Sequence, residues 1–485
     1  MSDETPSIGE YLVDALRERG VEHVFGVPGD FILRFFQIGA ERGLTMVNAT
    51  REEAATYAAD GYAREKGLGA AAVTFGVGTL APLAALGGAN AEHVPVVLIG
   101  GGPGLGERDG RQIHHMPTED MNTSRRMAEE ITAEAVLVDD PEEAFEKIDT
   151  ALDLCQQTLR PVFLEIPRDQ FDVRPEQVWR HPHRNVRTDE HAHREAAAIE
   201  DLVQTINAAE RPVIWSGVGV LRRRTGEQVI ELAERIGAPI VESVMGKGSV
   251  PETHDLVMGV YSGLTTGDQR VKAHVEDADC VIVLEVAQND INLGAFSVDI
   301  PRGRIVSLDT HDLWVGHRTY AGVSFDVSFD GMVSADLASR PRPSDLPRSW
   351  DATDPGDSGP LTTDQIAAVL DDFLDPSDIV SVDVGAAAHL MMDVRLAAAG
   401  QMHIARYYVG MGFAVPAAGG AALARGAGRP IVLVGDGSFQ MTGFDVSTAI
   451  RYGVAPIVLV LKNGGYTTER AIADGPFNDI ADWNY

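Results

Sequence analysis

Two adjacent histidines, His114 and His115, stand in the polar stretch RQIHHMPTED. Histidine is the side chain whose ordinary pKa lies nearest neutrality, so such a pair can give and take protons at physiological pH. A polar loop can also carry the pair without any chemical role, and the rest of the chain has to decide. Near the other end, VLVGDGSFQMT places Gly435, Asp436, Gly437 and Ser438 directly after an apolar run. A second apolar run, in APIVLVLKNGGYTTE, ends at Asn463, Gly464, Gly465 and Tyr466. Asp436 and Asn463 are 27 positions apart (463 − 436), the length of one strand–helix–strand crossover. Both therefore fall at the carboxyl ends of neighbouring parallel strands, the edge where open α/β sheets bind ligands. A carboxylate, an amide oxygen and a nearby backbone carbonyl are hard donors suited to Mg2+, and a diphosphate would complete the octahedron. The glycines let backbone N–H groups approach phosphate oxygens. Either motif alone reads as a turn; both at this spacing read as a site.

Two further acids stand out. In NATREEAATYAADGYAR, Thr50 and Glu53 fit a Thr-x-x-Glu capping box before an alanine-rich helix, which gives Glu53 a structural task and Glu52 none. Asp30 follows Gly29 in GVPGD at the end of an expected strand, where Gly-Asp by itself is a commonplace turn.

Positioning these groups requires sheets. HVFGVPG, AAAVTFGV, VPVVLIGG and RPVFLEIP read as short strands alternating with helical stretches, the signature of a doubly wound parallel sheet. RPVIWSGV, APIVES, CVIVLEV and RIVSLDT repeat the pattern, as do DIVSVDVG, RPIVLVGDG and APIVLVLKN. Three α/β domains are expected, over 1–175, 190–340 and 355–485. Residues 169–196, polar and interrupted by proline, read as a connection, and SRPRPSDLPRSWDATDPGDSGP (339–360) as a linker. A sheet of the third kind would continue for another strand and helix, so this domain is expected to lack its C-terminal end. The Gly-x-Gly of SGVGV is too common to argue for a second nucleotide site.

Composition narrows the class. Seventy-two acidic against 40 basic residues give a formal net charge of −32, which repels nucleic acid and anionic membranes. Cys155 and Cys280 are the only cysteines and show no metal spacing, which points to a reducing compartment. The N-terminus MSDETPSIGEYLVDALRERG is acidic and amphipathic, unlike a signal peptide. A cytoplasmic location is expected.

GDGS with its downstream Asn-x-Gly-Tyr-Thr-x-Glu resembles the diphosphate and metal motif of thiamine-diphosphate-dependent enzymes. More narrowly, the chain resembles the 2-oxo-acid decarboxylases that act on pyruvate, indolepyruvate and phenylpyruvate. VEHVFGVPGDF, EEAATYAADGYAR, VTFGVGTLAPLAALGGANAEHVPVVLIGG, IHH, GKGSVPETH with GVYSG, GMGFAVPAA and GDGSFQMTGFDVSTAIRYG all occur in the family's order. One departure is Lys462, where the family usually carries an asparagine before the metal-ligating Asn463.

The resemblance implies an N-terminal aminopyrimidine-binding domain, a central domain and a diphosphate- and Mg2+-binding domain. It implies thiamine diphosphate and Mg2+ as cofactors, with Asp436, Asn463 and Gly465 as metal ligands. Glu52 would activate the aminopyrimidine ring so that the thiazolium ylide forms. Ala386, Val409, Gly410, Met411, Gly437, Ser438, Tyr466 and Thr467 would complete the cofactor cradle, with Met411 as a wedge between the rings and the carbonyl of Val409 on the ring amine. Core packing is the competing explanation for Met411. Asp30, His114, His115 and Glu469 would form a relay that orients substrate and delivers a proton, so that aldehyde and CO2 leave. Ala388 falls where pyruvate-specific members carry a bulky aromatic, and His389 replaces the expected phenylalanine; together they point to an aromatic or bulky 2-oxo acid. The family's active sites lie between subunits, which implies a homodimer at least and a homotetramer as the expected assembly. The competing readings are a carboligase of the acetolactate-synthase type and an inactive, cofactor-binding partner subunit.

Overall fold

Alternation of buried side chains along the first strands shows why this sequence builds a sheet covered on both faces. Val24, Ala70, Ala72, Val97 and Ile99 enter one hydrophobic cluster, while their neighbours Phe25, Ala71, Val73, Val96 and Leu98 enter another. Period-two alternation with both partners apolar is what a buried parallel strand requires. The computed structural model describes residues 5–110, 112–177, 189–352, 361–475 and 478.

The first sheet contains β1 (His23–Gly26), β2 (Thr45–Asn48), β3 (Gly69–Val73), β4 (Val96–Gly102), β5 (Glu134–Leu137) and β6 (Val162–Pro167), in the order β2-β1-β3-β4-β6-β5, all parallel. The second contains β7 (Pro212–Ser216), β8 (Ile240–Glu242), β9 (Val257–Val260), β10 (Cys280–Leu284), β11 (Ile305–Leu308), β12 (Asp312–Val315) and β13 (Arg318–Ala321), in the order β13-β12-β11-β10-β7-β8-β9. The third contains β14 (Ile379–Val382), β15 (Met402–Ile404), β16 (Pro430–Gly435) and β17 (Ile457–Leu461), in the order β15-β14-β16-β17.

Three sheets of α/β character are as expected, with two corrections. The second sheet is not wholly parallel, because β11, β12 and β13 form an antiparallel meander at one edge. The outermost of these strands, β13, is mostly exposed and offers no apolar run to read. The expected connection over 169–196 also contains the start of a helix, Asp189–Ala208, whose charged first turns conceal its amphipathic later half.

The chain divides into two compact units. One comprises Met1–Arg184, Asp378–Ala387 and His403–Tyr485, and the other Asn185–Ser377 and Ala388–Met402. The first and third sheets thus share a unit. Helix Glu52–Lys66 joins them by packing on helix Ala414–Arg425. The crossing is close because small residues line it: a Cβ on Gly61 would meet the carbonyl oxygen of Ala417 at 2.1 Å, and one on Gly420 would meet that of Ala58 at 1.9 Å. Arg64 reinforces the joint through Asp60 Oδ1 (2.6 Å) and the carbonyl of Ile404 (2.7 Å), and stacks over the ring of Phe413. Among the described residues no helix is long and apolar enough to cross a membrane.

Candidate active site

Asp30 and Thr74 follow the carboxyl ends of the neighbouring strands β1 and β3. The Thr74 hydroxyl donates to Asp30 Oδ1 (3.4 Å) and accepts from the Phe31 N–H (3.4 Å), which steadies the turn. The loop after β4 then brings both histidines onto this carboxylate. His114 Nε2 lies 2.6 Å from Asp30 Oδ2, and His115 Nε2 lies 3.3 Å from Oδ1. The loop reaches that position through a strained backbone: His115 has φ of 74°, and a Cβ on Gly76 would meet the His115 carbonyl oxygen at 1.8 Å. A non-glycine residue held at positive φ costs about 1–3 kcal/mol, and such strain concentrates at functional sites. Burial alone would raise the Asp30 carboxyl, but the hydrogen bond and charge of His114 and the charge of His115 hold it below the usual carboxylate range. Asp30 is therefore an anion at neutral pH, flanked by two proton carriers.

Helix Glu52–Lys66 begins at Glu52 with Arg51 as N-cap, and the expected capping box does not form. Thr50 donates its hydroxyl to Asp445 Oδ1 (2.8 Å), and Glu53 pairs with Arg51. A partner distant in sequence thus outcompetes the local cap. The side chain of Glu52 has no hydrogen-bond or ionic partner among the described residues, and half-buried at a helix start it remains available for a ligand.

At the third sheet, Asp436 and Asn463 follow β16 and β17, whose parallel register sets Gly435 against Leu461. Asp436 Oδ1 accepts from Gly437 N–H (3.0 Å), and its Oδ2 accepts from Gly464 N–H (2.9 Å), which closes the two loops together. Asn463 Nδ2 donates to the Thr467 hydroxyl (3.1 Å), leaving the amide oxygen to accept from Gly465 N–H (3.4 Å). Glycine is required at 437, where a Cβ would meet the Tyr466 ring at 2.8 Å. It is required again at 465, where a Cβ would meet the Asn478 carbonyl oxygen at 1.9 Å. Ser438 is buried beside Asp436.

The segment Val409–Gly412 forms a second strained turn. Val409 has φ of 51° and is 54% exposed; Met411, 36% exposed, is no core residue. A Cβ on Gly410 would press on the Tyr57 hydroxyl at 3.1 Å. Asp383, at the end of β14, holds this turn by accepting from the N–H groups of Gly412 (3.0 Å) and Ala414 (3.2 Å), while Thr442 donates to the Gly412 carbonyl (2.7 Å). Burial pushes the Asp383 carboxyl up to about 6, against the pull of those N–H donors and Ser438. Sequence reasoning passed over Asp383, although an acid at the carboxyl end of an apolar strand is a recognisable signal. Ala386 opens the short helix Ala386–Leu390, on which Ala388 is buried and His389 exposed.

One chain does not bring every expected group together. Glu469, exposed on helix Thr467–Ile472, makes no contact with the Asp30–histidine cluster among the described residues, and Glu52 makes none with Asp436.

Models of thiamine pyrophosphate enzymes match the chain in three stretches: the N-terminal TPP binding domain over residues 6–125, the central domain over 199–326 and the C-terminal TPP binding domain over 383–477. Indole-3-pyruvate decarboxylase of Azospirillum brasilense is 32% identical over 493 residues, spanning 99% of this chain and 88% of that protein. Pyruvate decarboxylase of Aspergillus fumigatus is 33% identical over 504 residues, spanning 99% and 86%. The chain belongs to the thiamine-diphosphate-dependent 2-oxo-acid decarboxylases.

The residues present fit that cofactor. Asp436 is a buried carboxylate with which no lysine, arginine or histidine pairs among the described residues. A buried charge without a counter-ion is costly, and a divalent cation held there with a diphosphate would resolve it. The nearby donors, an amide oxygen and backbone carbonyls, are those Mg2+ prefers. Nothing bulkier than hydrogen fits at 437 or 465 in the enzyme, so backbone is what lines this end of the cradle.

Proposed function

We propose that the enzyme decarboxylates an aromatic or otherwise bulky 2-oxo acid, of the indolepyruvate or phenylpyruvate kind, and releases the aldehyde. The observation that carries aldehyde release is the convergence of His114 and His115 on the Asp30 carboxylate. Each turnover takes up one proton, because a 2-oxo carboxylate becomes a neutral aldehyde and CO2. A cluster able to deliver that proton is what aldehyde release needs and what a ligating enzyme must hold back. Overall identity does not choose the substrate, since the indolepyruvate and pyruvate enzymes are similar to this chain at 32% and 33%. The small, buried Ala388 supports the bulkier class, with His389 beside it.

Thiamine diphosphate, when bound, supplies a cationic ring that accepts the electron pair left as CO2 departs. Asp436, Asn463 and the Gly465 carbonyl hold Mg2+ in this reading, and the backbone at Gly437 and Ser438 with Tyr466 and Thr467 lines the diphosphate end. Val409, Gly410 and Met411 hold the opposite end, with Ala386 nearby in sequence to the Asp383 anchor. Glu52 keeps a carboxyl at the aminopyrimidine edge, where its lack of a side-chain partner among the described residues leaves it free to hydrogen-bond the ring. Asp30, His114, His115 and Glu469 orient the substrate carboxylate and pass the proton. Residues 1–175, 190–340 and 355–485 correspond to the aminopyrimidine-binding, central and diphosphate-binding domains.

A homodimer is the minimum assembly in this reading. Glu469 and Glu52 lack their expected companions within one chain, and Tyr407, Tyr408, Val409, Met441, Phe444 and Ile450 leave apolar surface exposed on the unit that carries them. Such surface is what a subunit interface covers.

The test offers purified protein a panel of 2-oxo acids with thiamine diphosphate and Mg2+, recording CO2 and aldehyde. Indolepyruvate or phenylpyruvate is expected to give aldehyde with a higher kcat/KM than pyruvate. Ligation products without aldehyde would sink the decarboxylase reading, and a preference for pyruvate would sink the substrate assignment alone.

A further inference from the structure

The cluster that the proposed reaction uses for protons also has the composition of a transition-metal site. Two imidazole nitrogens and one carboxylate are borderline-soft and hard donors in the proportion that Zn2+ accepts. The ligand atoms of Asp30, His114 and His115 all lie within 4.8 Å of one another. We propose that Asp30, His114 and His115 bind a divalent transition-metal cation of the Zn2+ type, and that this cation switches the enzyme off by occupying the relay.

Geometry supports the site without large movement. Ligands about 2.0–2.2 Å from a tetrahedral zinc ion stand about 3.3–3.6 Å from one another. The two contacts already made to Asp30, 2.6 and 3.3 Å, approach that spacing. The cation takes the place of the protons shared along these contacts, and the exposed side chains shift by about an ångström to bring all three ligand atoms to that spacing. Water fills the fourth position. One negative charge from Asp30 and two neutral imidazoles suit a divalent ion.

The surroundings fix the ligands as a built site does. Phe31 lies beside both imidazoles, with ring centroids 5.1 Å from His114 and 6.0 Å from His115. Thr74 holds the carboxylate from behind, and the left-handed backbone of His115 against Gly76 fixes the loop. Supporting contacts of this kind orient metal ligands and raise affinity. Ligand chemistry also sorts two metals in one protein. Mg2+ prefers an octahedron of oxygens and is a poor match for imidazole. Millimolar Mg2+ at Asp436 therefore leaves the Asp30 site open to Zn2+.

The experiment uses the full-length holoenzyme with saturating thiamine diphosphate and Mg2+. Zn2+ is titrated calorimetrically, and Co2+ serves as a spectroscopic probe, since a four-coordinate site gives it a strong visible absorption band. One Zn2+ per chain is expected to bind, and aldehyde release is expected to fall in step with occupancy and return on adding a zinc-selective chelator. His114→Ala and His115→Ala are each expected to weaken Zn2+ binding by at least about tenfold and to remove the Co2+ band. No binding, or binding unchanged in the double variant, would overturn the site. The inhibition, though not the binding, rests on the proposed relay. Zn2+ bound at these residues without loss of aldehyde release would overturn the relay and the switch together and leave the metal site standing.

Discussion

Two clusters of ionisable groups, one in each unit, set carboxyls beside basic side chains to opposite ends. In the first unit Asp30 meets His114 and His115 in the open, with the Asp30 side chain 42% exposed. In the second, Glu242, Lys247 and Glu252 are sealed from water. There Lys247 Nζ donates to Glu252 Oε1 (2.6 Å), the Leu396 N–H donates to Glu252 Oε2 (2.7 Å), and Ser249 Oγ donates to Glu242 Oε1 (3.1 Å). The carboxyls respond in opposite directions. Asp30 is held below the usual range by its histidines despite partial burial, whereas burial first, and then the charge of Glu252, drive Glu242 well above it. A wet cluster exchanges protons and can be reached by substrate. A dry one fixes each proton and clasps the chain, here binding residues 396 and 252 through paired backbone and side-chain contacts.

The largest effect expected from breaking this contrast is on chemistry. His115→Ala should slow aldehyde release by about 10²–10⁴-fold while the urea midpoint stays unchanged. A variant that unfolds more easily yet keeps its rate would reverse the assignment. In the buried cluster the effects should swap. Lys247→Met strands Glu252 without its counter-ion and should cost about 3–5 kcal/mol of stability, read from urea unfolding. Adding Glu252→Gln should recover part of the loss, because a neutral amide oxygen still accepts the Leu396 N–H.

The pH dependences sharpen the same comparison. The folded-state pKa of Glu242 is raised, so its contribution to stability is fully present below the ordinary value of 4.5 and is lost as pH rises through the folded value. Glu242→Gln should therefore flatten the decline of stability toward alkaline pH, measured by urea unfolding across a pH series. Asp30 has a lowered pKa, so its contribution is present above the ordinary value of 3.8 and is lost as pH falls through the folded value. Asp30→Asn should change acid unfolding only below about pH 4, and by the smallest amount of the four, since solvent screens an exposed pair.

Much of the fold was legible because apolar strands announce themselves: VPVVLIGG, RPVFLEIP and RPIVLVGDG all fall on strands of the first and third sheets. DLWV and RTYA did not, since they form an antiparallel edge hairpin whose outer strand is mostly exposed and carries no apolar run. At the site, Asp30 and the histidine pair could be joined only through a resemblance. Their sequence separation of 84 residues is bridged by a sheet, not by any local pattern. Thr50 shows the reverse failure, a good local cap overridden by Asp445 almost 400 residues away. Lys247 and Glu252 sit in GKGSVPETH, which reads as a polar loop; nothing in its pattern foretells that both are buried.

The helix crossing at Gly61 and Gly420 carries a mechanical consequence. With backbone pressed on backbone there are no long side chains to act as cushions, so the joint between the first and third sheets has little slack. A displacement at Ala417 pushes directly on Gly61, nine residues from Glu52 along the same helix (61 − 52). The two sheets should therefore vibrate as one stiff block.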